Sequence, residues 1–292
     1  MIGVDWGTSA FRAFRLAPDG RLTDTLVTGT GIMQVTPGGF ADALFELIGP
    51  WLADGEDRVV MSGMVGSRQG WQEARYLPCP ANLAAVAHAL VTVPFAHAQV
   101  RLIPGLSDHD DAGVPEVMRG EETQLFGVMP GLASTSLVCL PGSHSKWAHI
   151  ENGRIVSFRT YMTGEVYAAL RSDTILGRMM TDAPIDEIAF ARGVRRSGNV
   201  GHLLHQLFGV RTLGLFGRLS DDAAASNLSG LLIGHEVRAA MPASATVHLI
   251  GAGPLCRLYA LAIEVCGGLA VIGDEQAAAR GLAIIGQKAK WS

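Results

Sequence analysis

Three features of this sequence predict two α/β domains, each built on a mixed sheet. The chain has 292 residues, too many for one minimal core and enough for two domains of ordinary size. Short apolar strands are interspersed with segments of helical period along its length. A strand–small-residue loop–strand unit at the N-terminus also reappears, in weaker form, near mid-chain.

In chain order, residues 2–5 form a short apolar strand that ends on Asp5. Residues 11–16 form a second strand, followed by the turn Pro18-Asp19-Gly20-Arg21. Together they make a hairpin whose loop is Trp6-Gly7-Thr8-Ser9. Residues 39–52 carry Phe40, Leu44, Leu47, Ile48 and Trp51 at helical spacing. Strands are expected at 58–61, leading into a Gly-rich loop, and at 100–103. The second hairpin runs through 136–140, the loop Gly142-Ser143-His144-Ser145, and 147–150, with a turn at Asn152-Gly153. Gly7-Thr8 then matches Gly142-Ser143, Ala13 matches Ala148, and Asp19-Gly20-Arg21-Leu22 matches Asn152-Gly153-Arg154-Ile155. Residues 182–230 read as a mainly helical insertion. The tail reads as strand 246–250, loop Gly251-Ala252-Gly253, helix 255–265, strand 269–272 and an Ala-rich helix from 275. No low-complexity tether interrupts the chain, so packed elements should join the domains. The expected division is 1–122 for the first domain, to which helix 275–292 returns, and 123–274 for the second.

Composition narrows the function. Hydrophobic residues make up 48% and charged residues 17%, which suits a large buried core and argues against disorder. The net charge is -4 and no Lys/Arg block exists, which disfavours nucleic acid as the main partner. No apolar run reaches a membrane-spanning length, and the first strand is not preceded by a basic leader segment. Cys79, Cys139, Cys256 and Cys266 form no CxxC pair and read as idle thiols of a cytoplasmic protein. Assembly into a homo-oligomer is left open.

The two loops suit a phosphate chain. Glycine lets the backbone N–H groups approach an anion, and the hydroxyls of Thr8, Ser9, Ser143 and Ser145 add hydrogen bonds. Asp5, at a strand end before the first loop, is placed to hold Mg2+ through water. Glu121 and Glu122 open a helix, where carboxylates also favour the helix dipole; one of them can act as general base for a sugar hydroxyl. Arg68 offers a planar fork for a carboxylate, with Gln69 for amide hydrogen bonds and Trp71 as a neighbouring ring. His144 and Lys146 read equally as phosphate contacts or structural residues. Asp108-His109-Asp110-Asp111 reads as a solvated turn and not a metal site.

These residues carry a resemblance. Asp5-Trp6-Gly7-Thr8-Ser9 and Pro141-Gly142-Ser143-His144-Ser145 resemble the two phosphate motifs of the sugar-kinase/actin/Hsp70 superfamily. Gly251-Ala252-Gly253 resembles its adenosine motif. Gly120-Glu121-Glu122 is similar to the Gly-Asp-Gln segment of glycerol kinase-like enzymes, with Glu121 where the pattern has the aspartate base. The segments 62–71, 76–81, 118–122, 141–147 and 160–165 resemble the 2-dehydro-3-deoxygalactonokinase family.

The resemblance implies an actin/hexokinase-like (ribonuclease H-like) fold of duplicated mixed sheets with an interdomain cleft. It also implies ATP and Mg2+ as cofactors and a small sugar acid as substrate, phosphorylated by a cytoplasmic kinase. By it, Asp5 and Glu121 are catalytic. Gly7, Thr8, Ser9, Gly142, Ser143, His144, Ser145, Gly251 and Gly253 bind nucleotide, and Arg68, Gln69, Trp71 and Glu122 bind substrate. The choice between Glu121 and Glu122 as base stays open at this level, as does the epimer of the acid. A kinase of 2-dehydro-3-deoxygluconate, or a nucleotide switch without a sugar substrate, are the alternatives on the same fold. A dinucleotide-binding oxidoreductase is disfavoured, because Cys256 stands where the third glycine of a Gly-x-Gly-x-x-Gly fingerprint belongs.

Overall fold

The computed structural model describes residues 1–291, which group into two compact units. The first holds residues 1–135, 149–158 and 275 onward; the second holds 136–148 and 159–274. The division falls at 135, later than the expected 122, and takes in the outer ends of two mid-chain strands.

The first unit contains β1 (Ile2–Trp6), β2 (Phe11–Leu16), β3 (Leu22–Thr28), α1 (Phe40–Ala53) and β4 (Arg58–Ser62). Next come β5 (Leu77–Pro78), β6 (Ala81–Asn82), α2 (Leu83–His88), β7 (Val91–Val93), β8 (Gln99–Leu102), β9 (Leu106–His109), β10 (Pro115–Met118) and α3 (Glu121–Val128). Its main sheet has the order β3-β2-β1-β4-β8-β7. β2 is antiparallel to β1 and β3, while β4 runs parallel to β1 and to β8. Alternation on β2 buries Phe11 and Ala13 on one face, and the face of α1 that carries Phe40, Leu44 and Ile48 joins the same core.

In the second unit run β11 (Thr135–Leu140), β12 (Ser145–Glu151), β13 (Arg154–Tyr161), α4 (Thr163–Asp173), α5 (Glu187–Ser197), α6 (Leu203–Leu215) and α7 (Asp221–Ala240). β14 (Thr246–Leu249), α8 (Gly253–Val265) and β15 (Leu269–Ile272) complete it. Its sheet runs β15-β14-β11-β12-β13, with β11, β14 and β15 mutually parallel. The order β8-β4-β1-β2-β3 of the first unit thus recurs strand for strand, so the weak sequence repeat marks a duplicated topology. The insertion at 182–230 is helical, as its pattern predicted, and α5, α6 and α7 build a separate apolar cluster around Leu228 and Leu231.

The last helix, α9 (Ala277–Lys288), belongs to the first unit. Glycines set how closely it packs. A Cβ on Gly3 of β1 would stand 2.9 Å from that of Leu282. A Cβ on Gly127 of α3 would overlap the Ala277 carbonyl, and one on Gly281 would overlap that of Thr123. Backbone-to-backbone packing of this kind fixes α3, and with it the acidic pair at its start. The sequence reading missed β3, the short sheet β10-β9-β5, and α4. β3 buries none of its seven residues, so it lacks the apolar alternation that marks a strand.

Candidate active site

In the first unit the chain makes its tight turn after β1 with Gly7, whose N–H donates to the Ala10 carbonyl at 2.9 Å. Thr8 and Ser9 stand exposed at the tip. Asp5 projects from the end of β1 and pairs with Arg12 across the hairpin; its side chain is only 13% exposed. A cavity of about 400 Å³ opens here, lined by Asp5, Gly7, Arg12, Met64, Arg119, Glu121 and Gln124. Gly63, at φ +95°, brings the end of β4 against β1: a Cβ there would lie 2.7 Å from the Trp6 carbonyl. Gly120, at φ +107°, turns the chain into α3 beside Gly63.

This turn separates the two adjacent acids. Glu121 lines the cavity and accepts a hydrogen bond from the Arg119 N–H at 2.9 Å. Glu122 is fully buried beneath it. Its oxygens accept from the Gly120 N–H at 2.7 Å and the Thr123 hydroxyl at 3.0 Å. Burial, and then the charge of Glu121, push the Glu122 carboxyl up to about 8. Glu122 is therefore a support of the helix start, not a substrate contact.

This arrangement has a consequence for stability. The folded state holds a proton on Glu122 that an unfolded carboxyl, at its ordinary value of 4.5, has already lost. That contribution is whole below the unfolded value and declines as pH rises through about 8. Glu122→Gln, neutral at every pH, should escape the decline. Melting curves between pH 5 and 9 should show the variant gaining on the wild type as pH rises; parallel curves would mean that Glu122 titrates as an ordinary carboxylate.

Arg68 and Gln69 line a neighbouring cavity of about 500 Å³, together with Met64, Glu73, Arg75, Tyr76 and Arg119. Arg68 is 88% exposed and donates to Glu73 at 3.2 Å. Trp71 is not part of this wall. It stacks on Phe40 at 6.4 Å between centroids and meets Phe95 edge-on at 6.0 Å, so it packs, half-buried, against the core and is not a wall of this cavity. The ring that does line the cavity is Tyr76, with the Arg119 guanidinium 4.4 Å from its centroid.

In the second unit, Gly142 and Ser143 border a largely apolar cavity of about 340 Å³. Leu232 and Ile233 of α7 and Leu255, Leu258 and Tyr259 of α8 complete much of its wall. Gly251 and Gly253 make the turn that launches α8 but do not line the cavity themselves. The loop is held from below. Gly164 packs so closely that a Cβ would stand 2.6 Å from the Gly142 carbonyl, and the Glu165 N–H donates to the Ser143 carbonyl at 3.1 Å.

His144 pairs with Glu165 at the surface, and the buried Lys146 reaches the His144 carbonyl at 3.5 Å. Ser145 departs from its expected role. Its hydroxyl is buried 2.7 Å from the Tyr259 hydroxyl and 3.4 Å from Glu236, so it anchors the loop and does not face a phosphate. Tyr259 and Trp147 each donate to Glu236 at 2.8 Å, and burial raises the Glu236 carboxyl above its ordinary value.

Of the residues expected from sequence, Asp5, Gly7, Glu121, Arg68, Gln69, Gly142 and Ser143 stand on cavity walls. Arg119, Tyr76, Gln124 and the Glu236 network were not among them. Arg119 had a signal, since it stands directly before Gly120-Glu121; Glu236 sits in an unremarked helix and had none.

This chain is similar to known proteins along nearly its whole length. The family model described as 2-keto-3-deoxy-galactonokinase matches residues 5–285. The 2-dehydro-3-deoxygalactonokinase of Escherichia coli (strain K12) is 36% identical over 279 residues, 94% of this chain and 93% of that protein. A Rhizobium meliloti (strain 1021) protein named as a probable 2-dehydro-3-deoxygalactonokinase is 36% identical over 272 residues, 90% of this chain and 89% of that one. A crystal structure of a Sinorhizobium meliloti protein, provisionally assigned to the same activity, superposes with a TM-score of 0.89 at 35% identity, covering 97% of both chains. The fold alone extends to the activator of 2-hydroxyisocaproyl-CoA dehydratase from Clostridium difficile, with a TM-score of 0.53 at 12% identity over 98% of this chain and 94% of that one. With a family model along nearly its whole length and two relatives at 36% identity, the chain belongs to the 2-keto-3-deoxy-galactonokinase family and is a sugar-acid kinase.

Proposed function

We propose that this chain transfers the γ-phosphoryl group of ATP to the terminal hydroxyl of 2-dehydro-3-deoxy-D-galactonate, giving its 6-phosphate and ADP. The observation that carries the reading is the charge pattern of the first unit. One cavity presents Asp5 and Glu121, and its neighbour sets Arg68, Arg75 and Arg119 against the single carboxylate of Glu73. A sugar acid needs both ends: a base for its hydroxyl and cations for its carboxylate.

Glu121 accepts the proton of the terminal hydroxyl as that oxygen bonds to the γ-phosphorus and the bond to the β,γ-bridging oxygen breaks. The Arg119 N–H holds the Glu121 carboxylate in place for this. Asp5 and its neighbours fit Mg2+. Among the described residues, no group of three or more His, Cys, Asp or Glu could hold a metal ion. Mg2+ asks for less, since a carboxylate or two with phosphate oxygens and retained water suffices. Asp5 supplies the carboxylate at a cavity wall, and the ion would offset charge on the phosphates. Within the first unit Gly7, Thr8 and Ser9 offer backbone N–H groups and hydroxyls to phosphate; the Gly142-Ser143 loop of the second unit carries the same kinds of donor. The apolar cavity below Gly142 takes the purine base, with Gly251 and Gly253 starting the helix that walls it.

The test is an ADP-release assay, coupled to a dehydrogenase, over galactonate, gluconate and their 2-dehydro-3-deoxy derivatives. The 2-dehydro-3-deoxygalactonate reaction should have the highest kcat/KM. A higher value for the gluconate epimer would transfer the assignment to that acid. ATP turnover that no acid stimulates would point to a nucleotide switch.

A further inference from the structure

We infer that Arg119 holds the acid end of the substrate, and that the two cavities it borders are the two ends of one sugar-acid site. The inference rests on the sugar-acid kinase reading above. Arg119 links the last strand of the small sheet to Gly120 and the start of α3. Its Nη2 donates to the Ala74 carbonyl at 2.8 Å, and its plane is held by the Tyr76 ring. Nε and Nη1 are shut off from solvent and donate to nothing.

Among the described residues no carboxylate lies within ion-pair distance of Arg119, whereas Arg12, Arg15 and Arg68 each have at least one. A guanidinium left partly unsolvated and without a counter-charge is costly to maintain unless something else supplies the anion. Its field is also stronger for lacking competing water. Met64 and Arg119 are common to both cavities, one of which carries Asp5, Arg12 and Glu121 and the other Arg68 and Arg75. A six-carbon acid bears its carboxylate and its terminal hydroxyl at opposite ends. Its hydroxyl at Glu121 would leave the carboxylate on the arginine side, with Arg119 at the junction. Arg68 is the weaker candidate for that carboxylate, being exposed, screened by solvent and already paired with Glu73.

Two variants test this independently. Arg119→Lys keeps a charge but loses the fork and the ring contact. Gly66→Ala leaves Arg119 intact, but its Cβ would stand 2.9 Å from Nη1 and push the guanidinium aside. Both should raise KM for 2-dehydro-3-deoxygalactonate, by roughly 10–100-fold for Arg119→Lys, and leave KM for ATP within about twofold. Both should also erode the wild type's preference for the acid over its neutral amide, a loss that general damage to the fold does not produce. Arg68→Ala should raise the same KM by less than about fivefold. An unchanged acid KM in both variants, or an ATP KM that rises in parallel, would overturn the assignment. If Arg119→Lys does not fold, Gly66→Ala decides the matter alone. A wild type that phosphorylates no sugar acid would overturn the parent reading, and this inference with it, before any variant is made.

Discussion

Glu121→Gln should lower kcat by roughly 10²–10⁴-fold, the range a general base is typically worth, while KM for ATP stays within about twofold. The amide keeps the size of the side chain and can still accept the hydrogen bond from the Arg119 N–H, so the start of α3 should hold its shape. What it loses is the capacity to take a proton at the cavity wall, where Glu121 stands with Asp5 and Gln124. The neighbouring Glu122→Gln is the matched control. It alters a carboxyl that the fold buries completely and that burial and the Glu121 charge push up to about 8. Its kcat should stay near that of the wild type. Steady-state kinetics on the pair decide the register, since a dead Glu122→Gln beside an active Glu121→Gln would reverse the assignment.

Asp5→Asn should lower kcat by roughly 10²–10³-fold, because an ion that neutralises phosphoryl charge is worth several kcal/mol of transition-state stabilisation. Raising Mg2+ should not restore the rate, since an amide carries no charge with which to fix the ion. The variant also strands Arg12, but that side chain is 40% exposed, so water can solvate its unpaired charge. The melting temperature should therefore move little while turnover collapses. Near-normal turnover at saturating Mg2+ would remove Asp5 from the ion. A large fall in melting temperature with modest loss of rate would make the pair with Arg12 its main business.

Much of the fold could be read locally. β2, α1, β15 and both loop hairpins follow from apolar period and turn residues within a few positions of each other, which is why their expected limits fall within a residue or two of those observed. The match of Asp19-Gly20-Arg21 to Asn152-Gly153-Arg154 also pointed to the duplication, because like turns closed like hairpins. β3 was not legible in this way, since none of its residues is buried and its place depends on pairing with β2.

The site divided along the same line. Residue type and order placed Asp5, Glu121, Arg68 and Gly142 among the chemical candidates, because an acid at a strand end or a glycine in a hairpin loop carries its meaning locally. Direction was another matter. Trp71 looked able to face a sugar, but it packs on Phe40 and Phe95 against the core, and Tyr76 lines the cavity instead. Ser145 resembled a phosphate ligand until Tyr259 and Glu236, from helices far along the chain, claimed its hydroxyl.

Sequence by itself determined the two mixed sheets, the repeated hairpins and the acidic pair that opens α3, since each is encoded by neighbours in the chain. Only the tertiary structure decided which acid faces the cavity. The turn at Gly120 and the close packing of α3 on α9 through Gly127 and Gly281 point Glu121 outward and bury Glu122. The missing partner of Arg119 is likewise a tertiary fact, because whether a charge is balanced depends on every segment folded around it.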